Sequence, residues 1–335
     1  MKKDLIRFGI LGCGLIARFH ADAIAGLKNA RLVGVADAKP VFAKRFAEER
    51  HIRVYDNYEA MLADPEVDAV CVCTPSGFHY DNAMQALKAG KHVVLEKPMA
   101  LTSREAKALE ECANAGGLTL TVISQLRFSE DIRYVKALLE QNAFGKVVLC
   151  DLYMKYWRDP AYYAESPWKG TRRFDGGGAL MNQGIHGVDI LLYLMGGAKV
   201  LCARNRTCFH DIEVEDASVS MLEFENGAMG VIEATTCACP GFARRLEITG
   251  TEGSVVLVEN RIEKLLLGGK TVVDGTSEKR PDTAADPAAM DCCFHRAQLA
   301  NFVAAVLGDE PLAVTAADGG RAVALIEEIY RFPGE

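Results

Sequence analysis

The sequence predicts an α/β protein in two domains. Residues 1–125 are expected to form a doubly wound parallel sheet, and residues 126–335 an α+β domain with a large, mainly antiparallel open sheet. Three observations predict it. Short β-branched runs alternate with amphipathic stretches over the first 125 residues, a glycine-rich turn joins the first run to the first stretch, and after residue 125 strand-like runs follow one another. A length of 335 residues suits two domains.

In the first region, residues 5–11, 31–37, 67–73, 92–95 and 118–123 read as strands. Residues 15–27, 40–49, 58–63, 78–89 and 103–115 carry apolar positions three and four apart, the spacing of one helical face. Each crossover must pack its helix back on the sheet, so the alternation implies parallel strands covered on both sides. Beyond residue 125, a helix over 129–141 leads to a long strand over 146–157, then to a loop rich in Tyr, Trp, Arg and Gly, and to a helix over 182–195. Between 200 and 273, turn signals at Glu225-Asn226-Gly227, 250–253 and Gly268-Gly269 separate β-rich runs, as in an antiparallel sheet. Helices over 288–307 and 317–330, separated by Pro311, close the chain. No flexible linker is evident, so a tight boundary is expected.

Composition narrows the function. Lys plus Arg number 38 against 45 Asp plus Glu, a net charge of −7 that repels a phosphate backbone and argues against a nucleic-acid partner. No apolar run is long enough to span a bilayer, and Arg7 and Arg18 interrupt the N-terminal run, so neither a membrane protein nor a signal peptide is expected. Eleven cysteines without a Cys-x-x-Cys pair suit a reducing cytoplasm better than a disulfide framework. Cys71/Cys73, Cys237/Cys239 and Cys292/Cys293 lack the spacing of structural zinc knuckles, so no metal is expected.

Gly12-Cys13-Gly14-Leu15-Ile16-Ala17 is Gly-x-Gly-x-x-Ala at a strand-to-helix junction. Gly12 permits the tight turn, Gly14 lets backbone approach a pyrophosphate, and Ala17 keeps helix and strand close, while the helix N-terminus offers N–H groups and a positive dipole end. Asp37 ends the second predicted strand, where a carboxylate accepts from an adenine-ribose 2′-hydroxyl and repels a 2′-phosphate. NAD is therefore expected over NADP, with Lys39 softening the preference. Thr74-Pro75 and Glu96-Lys97-Pro98 also follow strands and fall at the carboxyl edge, where such sheets bind ligands. A lysine leaving the sheet there is expected to be functional.

These motifs, with Thr74-Pro75-Ser76-Gly77-Phe78-His79 and Gly176-Gly177-Gly178-Ala179-Leu180-Met181-Asn182-Gln183-Gly184-Ile185-His186, resemble in order those of the Gfo/Idh/MocA family. Members are two-domain NAD(P)-dependent oxidoreductases, mostly of sugars, sugar nucleotides and inositols. The resemblance implies a Rossmann domain in which Leu15, Ile16, Thr74, Pro75, His79, Glu96 and Lys97 join Gly12, Gly14 and Asp37 around the cofactor. It places Lys97 between nicotinamide and substrate, makes the Lys97–Pro98 bond cis, and makes His186 the proton acceptor. It also implies a homodimer or homotetramer formed through the C-terminal sheet.

In physical terms Asn182 and His186, four apart, share one helical face and can meet one carbinol. An imidazole suits abstraction of a hydroxyl proton as hydride leaves the carbon. Many members carry aspartate where this chain has Asn182, and an amide orients but takes no proton, which leaves His186 or, alternatively, Lys97 as base. Upstream, Arg158, Tyr163, Trp168 and Arg172 are expected to contact substrate, since rings cover sugar faces and guanidinium groups read anionic oxygens. A subunit interface or loop core uses the same residue types. Asn182-Gln183 also resembles enzymes that oxidise nucleotide-linked uronates. Gln125 and Arg127 face the cleft or serve structure, and His295 is read as structural. The expected activity is an NAD-dependent dehydrogenase of a secondary alcohol on a sugar or polyol. The alternatives are a glycoside hydrolase using transient oxidation and a non-catalytic dinucleotide-responsive regulator.

Overall fold

A computed structural model describes residues 4–275 and 292–332. The chain divides into two compact units, 1–125 with 291–320, and 126–290 with 321–335.

The first unit alternates β1 (Ile6–Leu11), α1 (Leu15–Ala25), β2 (Ala30–Ala36), α2 (Pro40–Arg50), β3 (Arg53–Val54), α3 (Tyr58–Ala63), β4 (Ala69–Val72), α4 (His79–Lys88), β5 (His92–Leu95), α5 (Ser103–Ala115) and β6 (Leu120–Val122). The six strands are parallel, in the order β3-β2-β1-β4-β5-β6. The order reverses between β1 and β4, which opens a crevice at their carboxyl ends. β3 was not expected, because two residues carry no periodicity. β4 and β5 are apolar throughout and buried, as in strands covered on both faces.

The linear division at residue 125 needs correction. α9 (Cys293–Leu307) returns to the first unit, where Leu299, Phe302 and Val303 are buried with Phe8, Ile10, Ala17 and Ile24. Gln298 ties it to β6 by accepting from Ser124 N and donating to Val122 O at 3.0 and 2.8 Å. Positions 288–291 of the expected helix lie outside the described residues. The last helix, α10 (Ala316–Arg331), belongs to the first unit up to Gly320 and to the second beyond it.

The second unit contains α6 (Glu130–Glu140), β7 (Val147–Lys155), α7 (Pro160–Ala164), a π-turn (Ala179–Gly184), α8 (Ile185–Met195), β8 (Ala198–Arg206), β9 (Ala217–Phe224), β10 (Met229–Thr235), β11 (Arg245–Gly250), β12 (Gly253–Val258), β13 (Arg261–Leu267) and β14 (Lys270–Asp274). Eight strands form one sheet, β14-β13-β12-β11-β7-β10-β9-β8, antiparallel except for the β7–β10 pair. Alternation buries Cys150, Leu152, Met154, Leu222, Phe224, Ile232, Leu246 and Ile248 on one face and leaves Leu149, Val219, Met221 and Met229 exposed on the other.

Two local differences follow from hydrogen bonding. α7 falls in the stretch whose composition predicts a loop, and it forms because Asp159 caps it by accepting from Ala161 N at 2.8 Å and Pro160 supplies its first turn. The helix expected from residue 182 begins instead as the π-turn at Ala179. Asn182 and His186 therefore do not share one continuous α-helical face, since a π-turn takes more residues per turn.

Candidate active site

In the first unit the glycine turn has the form a dinucleotide needs. Gly12 has φ +90°, and a Cβ there would meet the Cys73 carbonyl oxygen at 2.6 Å. No described side chain caps α1 and its first turn has no acidic residue, so its leading N–H groups suit an anion. Asp37 accepts from Cys13 N at 2.8 Å and Lys39 N at 2.7 Å, which fixes the carboxylate behind the turn. Burial, with Asp37 nearby, pushes the Cys13 thiol up to about 12 and keeps it protonated at neutral pH. Leu15 and Phe78 are exposed apolar side chains beside the loops that follow β1 and β4. The residues fit a dinucleotide.

The loops after β4 and β5 are bound to each other. His79 is buried, and its ring nitrogens face Pro98 O at 2.6 Å and Thr74 O at 2.8 Å. Asn82 donates to Thr74 Oγ1 at 3.0 Å. The Lys97–Pro98 bond is cis and Lys97 is half-buried. Glu96, expected at the cofactor, is buried and turned to other partners, His20 Nε2 at 2.8 Å and Lys97 N at 3.1 Å. His79 and Glu96 thus spend their polar atoms on protein partners, since leaving a buried imidazole or carboxylate unpaired is costly.

In the second unit the polar cluster gathers around the π-turn. Glu215 is buried and accepts from Gly178 N at 2.9 Å, Leu180 N at 2.8 Å and Tyr330 OH at 2.7 Å, and Tyr330 OH accepts from Met181 N at 3.2 Å. Burial raises the Glu215 pKa against these donors. Here the glycines answer crowding: a Cβ on Gly178 would lie 2.0 Å from Glu215 O, and one on Gly177 2.1 Å from Tyr330 OH. Asn182 Nδ2 donates to Asp175, which is fully buried and also accepts from Gly170 N at 2.8 Å. The carboxylate missing at position 182 is therefore present next to it, on Asp175. His186 is half-buried in the first turn of α8.

The upstream residues divide. Arg158 is buried, gives Nε and Nη2 to Gln183 Oε1 at 3.2 and 2.7 Å and Nη1 to Trp157 O at 2.8 Å, while Gln183 donates to Tyr162 OH at 2.8 Å. Tyr163 is a core residue, with its hydroxyl on Thr236 Oγ1 at 3.2 Å and its ring against His210 at 4.8 Å. Arg172 is exposed and held by Glu213. Trp168 is half-buried, and its carbonyl takes the Thr171 hydroxyl at 2.7 Å. Lys169 lies 3.5 Å above the Tyr162 ring, and burial lowers its pKa. Arg127 forms a buried bidentate pair with Asp189 of α8, a structural role, and Gln125 is buried. Among the described residues one group, His210, Asp216 and Cys237, has ligand atoms close enough for a metal ion, but Asp216 already accepts from Cys208 N, Phe209 N and His210 N.

Sequence reasoning missed Asp175, Glu215, Tyr330 and His20. Asp175 directly precedes the triple glycine, a signal that was there to be read. The others have no local signature, since their partners lie far along the chain.

Fold and site define an oxidoreductase with an NAD-binding Rossmann domain, and the chain belongs to the Gfo/Idh/MocA family. The family's oxidoreductase, NAD-binding Rossmann-fold model matches residues 6–124, and its C-terminal domain model matches residues 132–256. A solved structure of the WlbA dehydrogenase from Bordetella pertussis, in complex with NADH and UDP-GlcNAcA, is 32% identical with a TM-score of 0.86, covering 98% of this chain and 96% of that one. The inositol 2-dehydrogenase of Rhizobium meliloti is 28% identical over 98% of this chain and 97% of its own length. An uncharacterized oxidoreductase of Bacillus subtilis, YrbE, is 30% identical over 78% of this chain and 76% of its own.

Proposed function

We propose that the protein is an NAD-dependent dehydrogenase of a secondary alcohol on a sugar, sugar derivative or cyclic polyol, with a nucleotide-linked uronate as the first substrate to try. The observation that carries the reading is that one chain combines an uncapped strand–helix turn backed by Asp37 with an amide–carboxylate pair, Asn182–Asp175, four residues before an imidazole. Gly12, Gly14, Leu15, Ile16, Asp37, Thr74 and Pro75 hold the dinucleotide. When bound, NAD supplies the hydride acceptor at its nicotinamide C4. Lys97 stabilises negative charge growing on the carbinol oxygen, and His186 takes the hydroxyl proton. Asp175 accepts only, so it fixes which end of the Asn182 amide faces it and orients that amide toward the alcohol. The reverse reduction uses the same groups.

Uronate or pyrophosphate recognition is supported by Lys169, Arg172 and Arg173 in one segment, and by the ligand in the Bordetella WlbA structure. The exposed apolar residues of the second sheet support a homodimer or homotetramer through that face, which a solution mass measurement checks. Eleven free cysteines support a cytoplasmic location, and no described helix is long and apolar enough to cross a membrane.

The test is a panel of nucleotide-linked uronates, inositols and glucosides with NAD and NADP, followed by NADH absorbance. Turnover with NAD on one of these supports the reading. Release of sugar from aryl glycosides with no NADH accumulating sinks it.

A further inference from the structure

Lys97 sits between two anchored points. Its own N–H donates to Glu96 Oε2 at 3.1 Å, and the carbonyl of the next residue, Pro98, faces His79 Nδ1 at 2.6 Å. The first anchor continues inward, because Glu96 Oε1 meets Nε2 of His20 on α1 at 2.8 Å. His20 is fully buried and its Nδ1 has no hydrogen-bond partner among the described residues. His295 of α9, 5.9 Å away ring to ring, is also buried with neither nitrogen partnered. A buried ion pair gives little net stability compared with apolar side chains of similar size, so its presence calls for another explanation.

We propose that His20 and Glu96 are positioning residues for Lys97: the imidazole of α1 keeps the Glu96 carboxylate in place, and that carboxylate sets the backbone at Lys97 and hence the origin of its ammonium group. The inference rests on the role given to Lys97 above.

The electrostatics agree. Burial works against charge on His20, but Cys73, Cys71 and Glu96 together outweigh it and hold the ring well above its ordinary pKa. Burial likewise works against Glu96, yet His20, His295 and Lys97 bring it down to about 2. The titratable groups facing the pair are Cys71 within β4 and Cys73 after it, His295 on α9, His79 on α4, and Lys97 itself. Burial takes His295 down to about 4 and Cys73 up to about 11, so neither carries charge at neutral pH, and the Glu96 carboxylate, bound to His20 at 2.8 Å, is the ionised group of the cluster.

The experiment compares wild type with His20→Gln, Glu96→Gln, the double variant and Lys97→Ala in the full chain. Hydrogen exchange by mass spectrometry follows the Lys97 amide without substrate. In folded His20→Gln it is expected to exchange about ten-fold faster or more, with β4 and β5 amides unchanged. With NAD and a substrate that the panel described above identifies, His20→Gln should lower kcat about ten-fold with the KM for NAD within about three-fold. Its acid limb should move upward, because a carboxyl deprived of its cation takes up a proton at higher pH. Adding Glu96→Gln removes that moved limb, which a general packing defect would not do. If His20→Gln does not fold, Glu96→Gln alone keeps the shape and carries the exchange test. Unchanged Lys97 exchange in folded variants, or an unchanged pH profile while Lys97→Ala is inactive, overturns the inference. An active Lys97→Ala overturns the role of Lys97 itself and the inference with it.

Discussion

The two units orient their candidate side chains over different distances in sequence. In the first, Asp37 receives the N–H groups of Lys39 and Cys13, 2 and 24 residues away, and Thr74 is held by His79 and Asn82, 5 and 8 away. In the second, the backbone before Asn182 hangs on Glu215, 35 to 37 residues away, and on Tyr330, 149 away. A parallel sheet delivers its loops to one edge whatever else the chain does, so short motifs hold Asp37 and Thr74 there, while Glu96, next to Lys97, draws on His20 76 residues away. A polar cluster beneath an open sheet must be gathered from distant segments, and it is sensitive to residues that no motif contains.

If that contrast holds, the largest effects come from the two groups proposed to act on the substrate, Lys97 and His186. Lys97→Ala should reduce kcat about a thousand-fold while NAD binding, measured by fluorescence titration, changes by less than about three-fold. His186→Ala is expected to cost about a hundred-fold in kcat, and the loss of the near-neutral limb in its pH–rate profile would assign the proton to the imidazole and away from Lys97.

The next effects test the distant contacts. Tyr330→Phe leaves Glu215 with one donor fewer, and Glu215→Gln removes a buried acceptor, so each should lower stability by about 1–3 kcal/mol in denaturant melts. Asn182→Asp, although it matches the commoner family residue, sets a second carboxylate against buried Asp175. Like charges that close raise one pKa, so the variant should melt lower and regain stability in mild acid. A variant as stable as wild type at neutral pH would mean Asp175 does not govern this position.

Acid stability sharpens the comparison from the other side. His295 has its folded pKa lowered from 6.5 to about 4, so the unfolded chain binds the proton first and stability is lost as pH falls from about 6.5 toward 4. Glu96, lowered from 4.5 to about 2, contributes stability that is present above 4.5 and lost as pH falls toward 2. His20 has the opposite sign: its raised pKa contributes below its ordinary value and is lost only as pH rises through the raised one. Thermal melts against pH should therefore fall in two acid steps, and His295→Gln should remove the first. The smallest change is expected for exposed Arg172→Ala, within about 0.5 kcal/mol in the same melts.

Much of the fold was legible because periodicity reports burial directly. The predicted strands 31–37 and 92–95 and helices 58–63 and 103–115 lie within a residue or two of β2, β5, α3 and α5. The return of α9 to the first core was not legible, since an amphipathic helix does not state which apolar surface it covers. At the site, Gly12, Asp37 and Lys97 could be read from their places after strands. Tyr163, read as a substrate contact, proved a core residue because a tyrosine in a loop sequence gives no sign of whether Thr236 waits for its hydroxyl.

By itself, then, the order of residues determined the layered architecture, the glycine turn and the residue types available for chemistry, all of which depend on spacings of a few positions. Tertiary structure alone decided which polar groups are consumed by the protein: Glu96 by His20, Asn182 by Asp175, and the π-turn by Glu215 and Tyr330. The physical reason is that leaving a buried polar atom unpaired is costly, and for these atoms the partner comes from elsewhere in the chain, at a place only folding brings near.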